Sequence, residues 1–316
     1  MAKRLKLYFA TDVHGSEKCF RKFLNAAAAY GPDVMVLGGD IAGKAVQAID
    51  DLGGGRFRTV FRGTTHAIDD AEELARVERM ISDLGYYPYV CPPGELDARI
   101  ADGSVETLLE DLMERRLAAW MELADERLRR SATPAFWMLG NDDPPRLAAV
   151  LDRAPWGGHC EGRVVEVDGY SLVSWGFSNP TPWDSFREQS ESELQARYDE
   201  LFAGVADPHR AVFNAHVPPY DSGLDAAPML DPELRVEQSG GQVKLGPVGS
   251  SAVRAAIERY QPLVSLHGHV HESAGFRRIG ATLAVNPGSD YGTGSLNGAL
   301  LTLSGDRLKA HQLVRG

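Results

Sequence analysis

Five short apolar runs, each ending in polar residues able to hold a metal ion, set the pattern of this chain. LKLYFA gives way to Asp12-Val13-His14, DVMVLGG to Asp40, AFWMLG to Asn141, AVFNA to His216, and LVSLHG to His269-Val270-His271. Continuous runs of this length predict interior strands covered on both faces. Open α/β sheets bind ligands beyond the carboxyl ends of their strands, so five such ends predict one shared crevice. Helices are expected between the runs. One covers 16 to 29, with Ser16 as N-cap and Gly31-Pro32 as stop. Another covers 247 to 260, beginning near Pro247, with Val253 and Ile257 four apart and a stop before Pro262. RVVEV and YSLVSW, joined at Asp168-Gly169, predict a hairpin, as do ALLTL and RLKAHQLV around a Ser-Gly-Asp turn.

Residues 56 to 134 read differently. Leu74, Val77, Ile81 and Leu84 keep helical spacing, as do Leu109, Met113, Leu117, Trp120, Ala124 and Leu128, with breaks at Pro92-Pro93-Gly94 and Asp102-Gly103. We expect a helical insertion at 56–134 within a single domain spanning 1–316, packed beside the sheet, with two readings open: overhang of the crevice or a solvent-facing structural role.

Composition narrows the partners. The 316 residues, 43% hydrophobic and 24% charged, suit a globular chain rather than a disordered one. A formal net charge of -11 repels phosphate backbones and anionic lipids, so neither nucleic acid nor a membrane is an expected partner. A small anionic substrate stays compatible, because bound divalent cations reverse the potential inside a pocket. The chain reaches Asp12 too soon for a signal peptide, no apolar stretch approaches a membrane span, and Cys19, Cys91 and Cys160 lack metal-type spacing. A cytoplasmic protein with reduced thiols is expected; oligomeric state is left open.

The strand-end residues are two Asp, one Asn and four His, a hard-to-intermediate donor set suited to manganese, iron or zinc rather than calcium. Two divalent ions about 3.5–4 Å apart can generate a nucleophile at neutral pH and neutralise phosphoryl oxygens. Each motif alone is weak: Asp-x-His arises by chance, Gly39-Asp40 fits an ordinary turn, and His216 fits a satisfied buried imidazole. His269 and His271 are stronger, because alternate residues of an extended segment share a side.

Taken together, Asp12-Val13-His14, Gly39-Asp40, Gly140-Asn141-Asp142-Asp143, His216 and Gly268-His269-Val270-His271 resemble, in order and spacing, the motifs of calcineurin-like metallophosphoesterases. The likeness runs from residue 5 to about residue 290. Gly176-Phe177-Ser178-Asn179-Pro180-Thr181-Pro182 is similar to bacterial and archaeal phosphoesterases related to the cyclic-nucleotide phosphodiesterases. The resemblance implies a four-layer αββα sandwich of two mixed β-sheets flanked by helices. It implies two divalent metals, manganese or iron favoured and zinc compatible. Asp12, His14 and His271 would hold one, Asn141, His216 and His269 the other, with Asp40 bridging. It further implies hydrolysis of a small phosphate ester, a diester favoured, by a metal-bridging hydroxide. The alternatives are a phosphomonoesterase and a catalytically silent metal-binding scaffold. Asn286-Pro287-Gly288-Ser289 resembles the family's supporting loop beside the last ligands, and His267 is expected to support or pack.

One position departs from the family. Asp142 stands where relatives carry the histidine that assists the leaving group, with Asp143 as the following carboxylate. Asp142 and Asp143 are the expected catalytic residues. A carboxyl of ordinary pKa, about 3.9 against about 6.5 for histidine, is a poor proton donor at neutral pH.

Overall fold

The computed structural model describes residues 4–154 and 156–316. The first of its two large sheets runs, in spatial order, Arg307–Arg315, Asn297–Ser304, Arg4–Ala10, Val34–Gly38, Ala135–Met138 and Gly157–His159. The second runs Gly275–Ile279, Thr282–Asn286, Val264–Leu266, Ala211–Ala215, Tyr170–Trp175 and Val164–Val167. Central strands pair in parallel, as does the edge strand Gly157–His159, and the other outer strands pair antiparallel, so both sheets are mixed. Both expected hairpins form: Tyr170 pairs with Val167, and Asn297–Ser304 pairs with Arg307–Arg315.

The sheets meet face to face because their apolar runs alternate between two buried sides. Leu5, Leu7, Phe9 and Met138 of the first sheet pack on Leu172, Val212, Leu266 and Val285 of the second. Each such side chain contributes about 1.5–3 kcal/mol by leaving water. The other face of the first sheet takes the helices Glu17–Tyr30 and Val105–Ser131, with Phe20 stacked on Trp120 at 4.1 Å between ring centroids. The other face of the second sheet takes Glu191–Ala203 and Ser251–Tyr260 through Tyr198, Phe202, Val253 and Ile257. The layers are helix, sheet, sheet, helix, as expected. Ser16 caps the first helix by accepting from Cys19 N. The helix expected from Pro247 starts later, because Ser250 is its N-cap and Pro247 ends the short strand Leu245–Pro247.

The segment 56–134 holds the expected helices and adds strands that the sequence did not suggest. It carries the helices Ala71–Asp83, Glu95–Asp102 and Val105–Ser131, but also the strands Phe57–Phe61, Thr64–Ile68 and Tyr86–Cys91. These join Ala45–Asp51 in a separate four-stranded sheet, so the departure from the main sheets begins before residue 56. Ile49, Phe61, Ile68, Val77 and Ile81 form its own small core. Pro88 disguised the strand Tyr86–Cys91. A proline cannot donate to a ladder, and it is tolerated here because this strand lies at the sheet edge. Among the described residues no helix is long and apolar enough to cross a membrane.

Candidate metal centre

All five strand ends converge. Asp12 and His14 follow Arg4–Ala10, Asp40 follows Val34–Gly38 and Asn141 follows Ala135–Met138, all from the first sheet. His216 follows Ala211–Ala215, and His269 and His271 follow Val264–Leu266, from the second. Asp12 Oδ1 lies 3.4 Å from His271 Nε2 and 3.9 Å from both His14 Nε2 and His216 Nε2. Asp40 Oδ2 lies 3.6 Å from His14 Nε2 and 3.3 Å from His216 Nε2. His269 Nδ1 is 2.8 Å from Asn141 Oδ1, and its backbone N–H donates to Asp12. The structure thus brings together all seven residues expected as ligands.

The chain turns sharply to aim these groups. Asp12, His14, Asp40 and His269 adopt positive φ of 53°, 40°, 50° and 65°. Non-glycine residues held there carry backbone strain, which clusters at functional sites. The turns are fastened to one another: Asp12 N donates to Gly39 O, His14 N to Asp40 O, and Asp142 N to Asp40 Oδ1. Two glycines are required by close approach. A Cβ at Gly140 would overlap the Asp40 carboxylate, and one at Gly268 would overlap that of Asp12. Gly268→Ala is therefore expected to weaken manganese binding at least about tenfold, of the order seen when support around a ligand is lost. Calorimetric titration of the two proteins with manganese checks this, and equal affinities would refute it.

The electrostatics suit cations. Burial raises the Asp12 carboxyl pKa but is outweighed by the hydrogen bond to His271 and the charges of His216 and His271, so it lies below the ordinary range. Burial likewise opposes ionisation of Asp40, and His216 and His14 reverse it, holding Asp40 well below the ordinary carboxylate value. Burial pushes His14 down to about 3 and His269 down to about 4. Burial also disfavours charge on His216, but the nearby Asp40 and Asp12 carboxylates carry that imidazole up to about 10. His216 Nδ1 is fixed by Gly38 O at 2.9 Å, so Nε2 is the atom presented to the two carboxylates, buried and without an aligned hydrogen bond. Carboxylates and imidazoles wrapped around such an atom fit a divalent cation. Asp12, His14 and His271 form one compact group, and Asp12, Asp40 and His216 another, with donor atoms within 4.8 Å of one another in each.

A pH dependence follows. Without metal, His216 is protonated at neutral pH, and a cation must displace that proton. Metal affinity is therefore expected to rise with pH until His216 loses its proton near 10. Manganese titrations in buffers of different ionisation enthalpy should show proton release at pH 7; none released would refute the assignment. The same proton stabilises the metal-free fold below about pH 6.5. That contribution is lost as pH rises through the folded value of about 10.

The two expected catalytic carboxylates part company. Asp142 lines the cavity, where Lys44 makes an ion pair with Oδ2 and Ser185 Oγ donates to Oδ1 at 3.1 Å. Asp143 does not face the cavity; it is fully buried and accepts backbone N–H groups from Ile41, Ala42 and Gly140. Burial and Asp40 raise its pKa to about 7 against those three donors. Its expected catalytic role is corrected to fastening the Asp40 and Asn141 turns together. His267 is buried between Ala215 O, Val217 O and Ser265 Oγ, a packing role. The Asn286 side chain donates to Val270 O at 2.8 Å, and Ser289 Oγ to Asp12 O at 2.7 Å, so that loop supports two ligand turns.

Sequence reasoning missed Lys44, Ser185, Arg187 and Glu161. Arg187 and Glu161 form a buried ion pair beneath the Asn141 turn: Arg187 Nη1 donates to Gly140 O at 2.9 Å and its backbone N to Asn141 O at 3.1 Å. Nothing in the local pattern of FREQ marks Arg187 as buried. Asp40, Asn141, His269 and His271 of the centre line a cavity of about 1080 Å³. Leu109 and Met113 of the long helix, Trp183, Phe186, Met229 and Leu230 give it a largely apolar wall.

Fold and site together define a two-sheet α/β sandwich with a carboxylate–imidazole centre at its strand ends. No protein-family model matches the chain. The uncharacterised protein MJ1162 of Methanocaldococcus jannaschii is 29% identical over 127 residues, 40% of this chain and 51% of that protein, so the chain spans about half the length of this relative. Among solved structures, TT1561 of Thermus thermophilus superposes with a TM-score of 0.56 at 17% identity, covering 99% of both chains. That likeness shows the fold. Yfce, a phosphoesterase from E. coli, gives a TM-score of 0.32 at 15% identity over 98% of both chains, a level that says nothing about chemistry.

Proposed function

We propose that the chain is a phosphoesterase dependent on two divalent cations, manganese or iron favoured, acting on a small phosphodiester. The observation that carries this reading is the convergence of seven oxygen and nitrogen donors, from strand ends of two sheets, beside one open cavity that Asp40, Asn141, His269 and His271 line. Asp12, His14 and His271 would hold one cation, Asn141, His216 and His269 the other, and Asp40 both. Bound there, the cations would make water nucleophilic at neutral pH and neutralise phosphoryl oxygens. The chain's own part is to orient and exclude. The Asp143-fastened turns fix Asp40 and Asn141, and the apolar wall receives an organic substituent and sheds water. That wall is why a diester is favoured. A phosphomonoesterase is the second reading, supported by the Lys44 ammonium at the cavity edge, which suits an additional phosphoryl charge.

Purified protein loaded with manganese, iron or zinc is expected to hydrolyse bis(p-nitrophenyl) phosphate faster than p-nitrophenyl phosphate. The reverse order selects the second reading. Full metal loading without turnover of either ester at any pH leaves a metal-binding scaffold. Asp142 is proposed as a supporting group rather than the proton donor. Its burial and the Asp40 charge raise its pKa, while Lys44 favours the ionised form. Asp142→Asn is expected to lower kcat by about the same factor for aryl esters of good and poor leaving groups. A loss that steepens with leaving-group pKa would make Asp142 the acid.

A further inference from the structure

The Lys44–Asp142 pair borders the centre, where Asp142 has a carboxylate oxygen within 4.8 Å of donor atoms of His14 and Asp40. Lys44 leaves the Asp40 turn just before the strand Ala45–Asp51, and its ammonium reaches back to Asp142 Oδ2 at the cavity wall. An ammonium has three donors and no acceptor. Asp142 takes one, and the Lys44 side chain, 53% exposed, lines the cavity with the others unclaimed by Asp142. Asp142 is itself held by Ser185 Oγ at 3.1 Å and by Asn141 Nδ2 at 3.1 Å, which fixes the anchor of the pair. Without Lys44, Asp142 would place a second carboxylate beside Asp40 and repel any phosphate approaching Asn141 and His269. With it, the wall presents a fixed cation where an anionic group must enter.

From this we infer that Lys44 is a substrate-binding residue, donating to a non-bridging phosphoryl oxygen, with Asp142 as its positioning residue. The inference rests on the phosphate-ester reading and adds to it a direct protein contact with the phosphoryl group. It also explains the position at which this chain departs from related motifs. A carboxylate at residue 142 recruits a cation from residue 44, so positive charge reaches the phosphoryl group from a different part of the chain.

The test is inorganic phosphate binding to the manganese-loaded protein, followed by calorimetry alongside ester turnover. Lys44→Met is expected to weaken phosphate binding about 10- to 100-fold, as for a lost hydrogen bond to a charged group. Manganese content should be unchanged, and Lys44→Arg should retain most of the affinity. Absence of phosphate binding by the unsubstituted protein, or equal affinity in Lys44→Met, overturns the inference. Lys44-dependent binding without turnover of any ester sustains the anchor and removes the hydrolase reading. Turnover with Lys44-independent phosphate binding removes the anchor alone.

Discussion

Asp40→Asn is expected to lower kcat/KM by at least about 100-fold and to reduce bound manganese, with the fold intact. Loss of groups that merely support a ligand typically costs about 10–100-fold, and Asp40 faces the centre directly. Its Oδ2 lies 3.3 Å from His216 Nε2 and 3.6 Å from His14 Nε2, while Oδ1 accepts from Asp142 N at 3.0 Å. Asparagine retains its one oxygen for the Asp142 amide and so places an uncharged NH2 where the shared negative charge stood. It also tolerates the left-handed backbone at this position better than most residues. Circular dichroism should therefore match the unsubstituted protein while metal content and turnover fall. Unchanged metal stoichiometry with unchanged turnover would remove Asp40 from the centre.

The second large effect concerns stability. Arg187→Met is expected to destabilise the fold by about 3–5 kcal/mol at pH 7, the usual result of stranding one partner of a buried ion pair. Arg187 and Glu161 have only 4% and 6% of their side chains exposed, so water cannot take over the lost contacts. The Gly140 carbonyl loses its donor as well, which should loosen the Asn141 turn. In the unsubstituted protein, burial favours the neutral Glu161 carboxyl but is outweighed by His159 and Arg187, so its folded pKa is lowered. A depressed folded pKa contributes stability above the unfolded value of about 4.3 that is lost as pH falls through the folded one. In Arg187→Met burial acts unopposed by the guanidinium, so the penalty should shrink as acid protonates Glu161. Urea titrations at pH 7 and pH 5 measure both effects. Pairing the change with Glu161→Gln should restore part of the loss; a single variant within about 1 kcal/mol of the parent would refute the argument.

The convergence of the candidate centre was legible because each of its stretches follows an apolar run, and a strand's end is where an α/β sheet exposes chemistry. Local pattern put His269 and His271 on one side of an extended segment, although the chain turns there with His269 at φ 65°, and family resemblance supplied the order of the rest. The groups that escaped are those whose role exists only across distance. Lys44 belongs by sequence to the Asp40 turn, and its partner is 98 residues away at Asp142. Arg187 sits in a polar stretch and is buried only because Glu161 awaits it. Asp142 and Asp143 are chemically identical neighbours, and only the backbone decides that one looks into the cavity and the other into the protein. The added sheet was obscured by Pro88 and by half-exposed strands whose alternation is weak.

The unusual torsions at residues 12, 14, 40 and 269 imply a conflict between durability and chemistry. Glycine at any of them would relax a conformation that costs an ordinary residue about 1–2 kcal/mol. A library screened only for heat tolerance in a chelating medium should therefore enrich glycine at these sites. Its survivors would be robust shells, unable to recover a cation when the chelator is washed away.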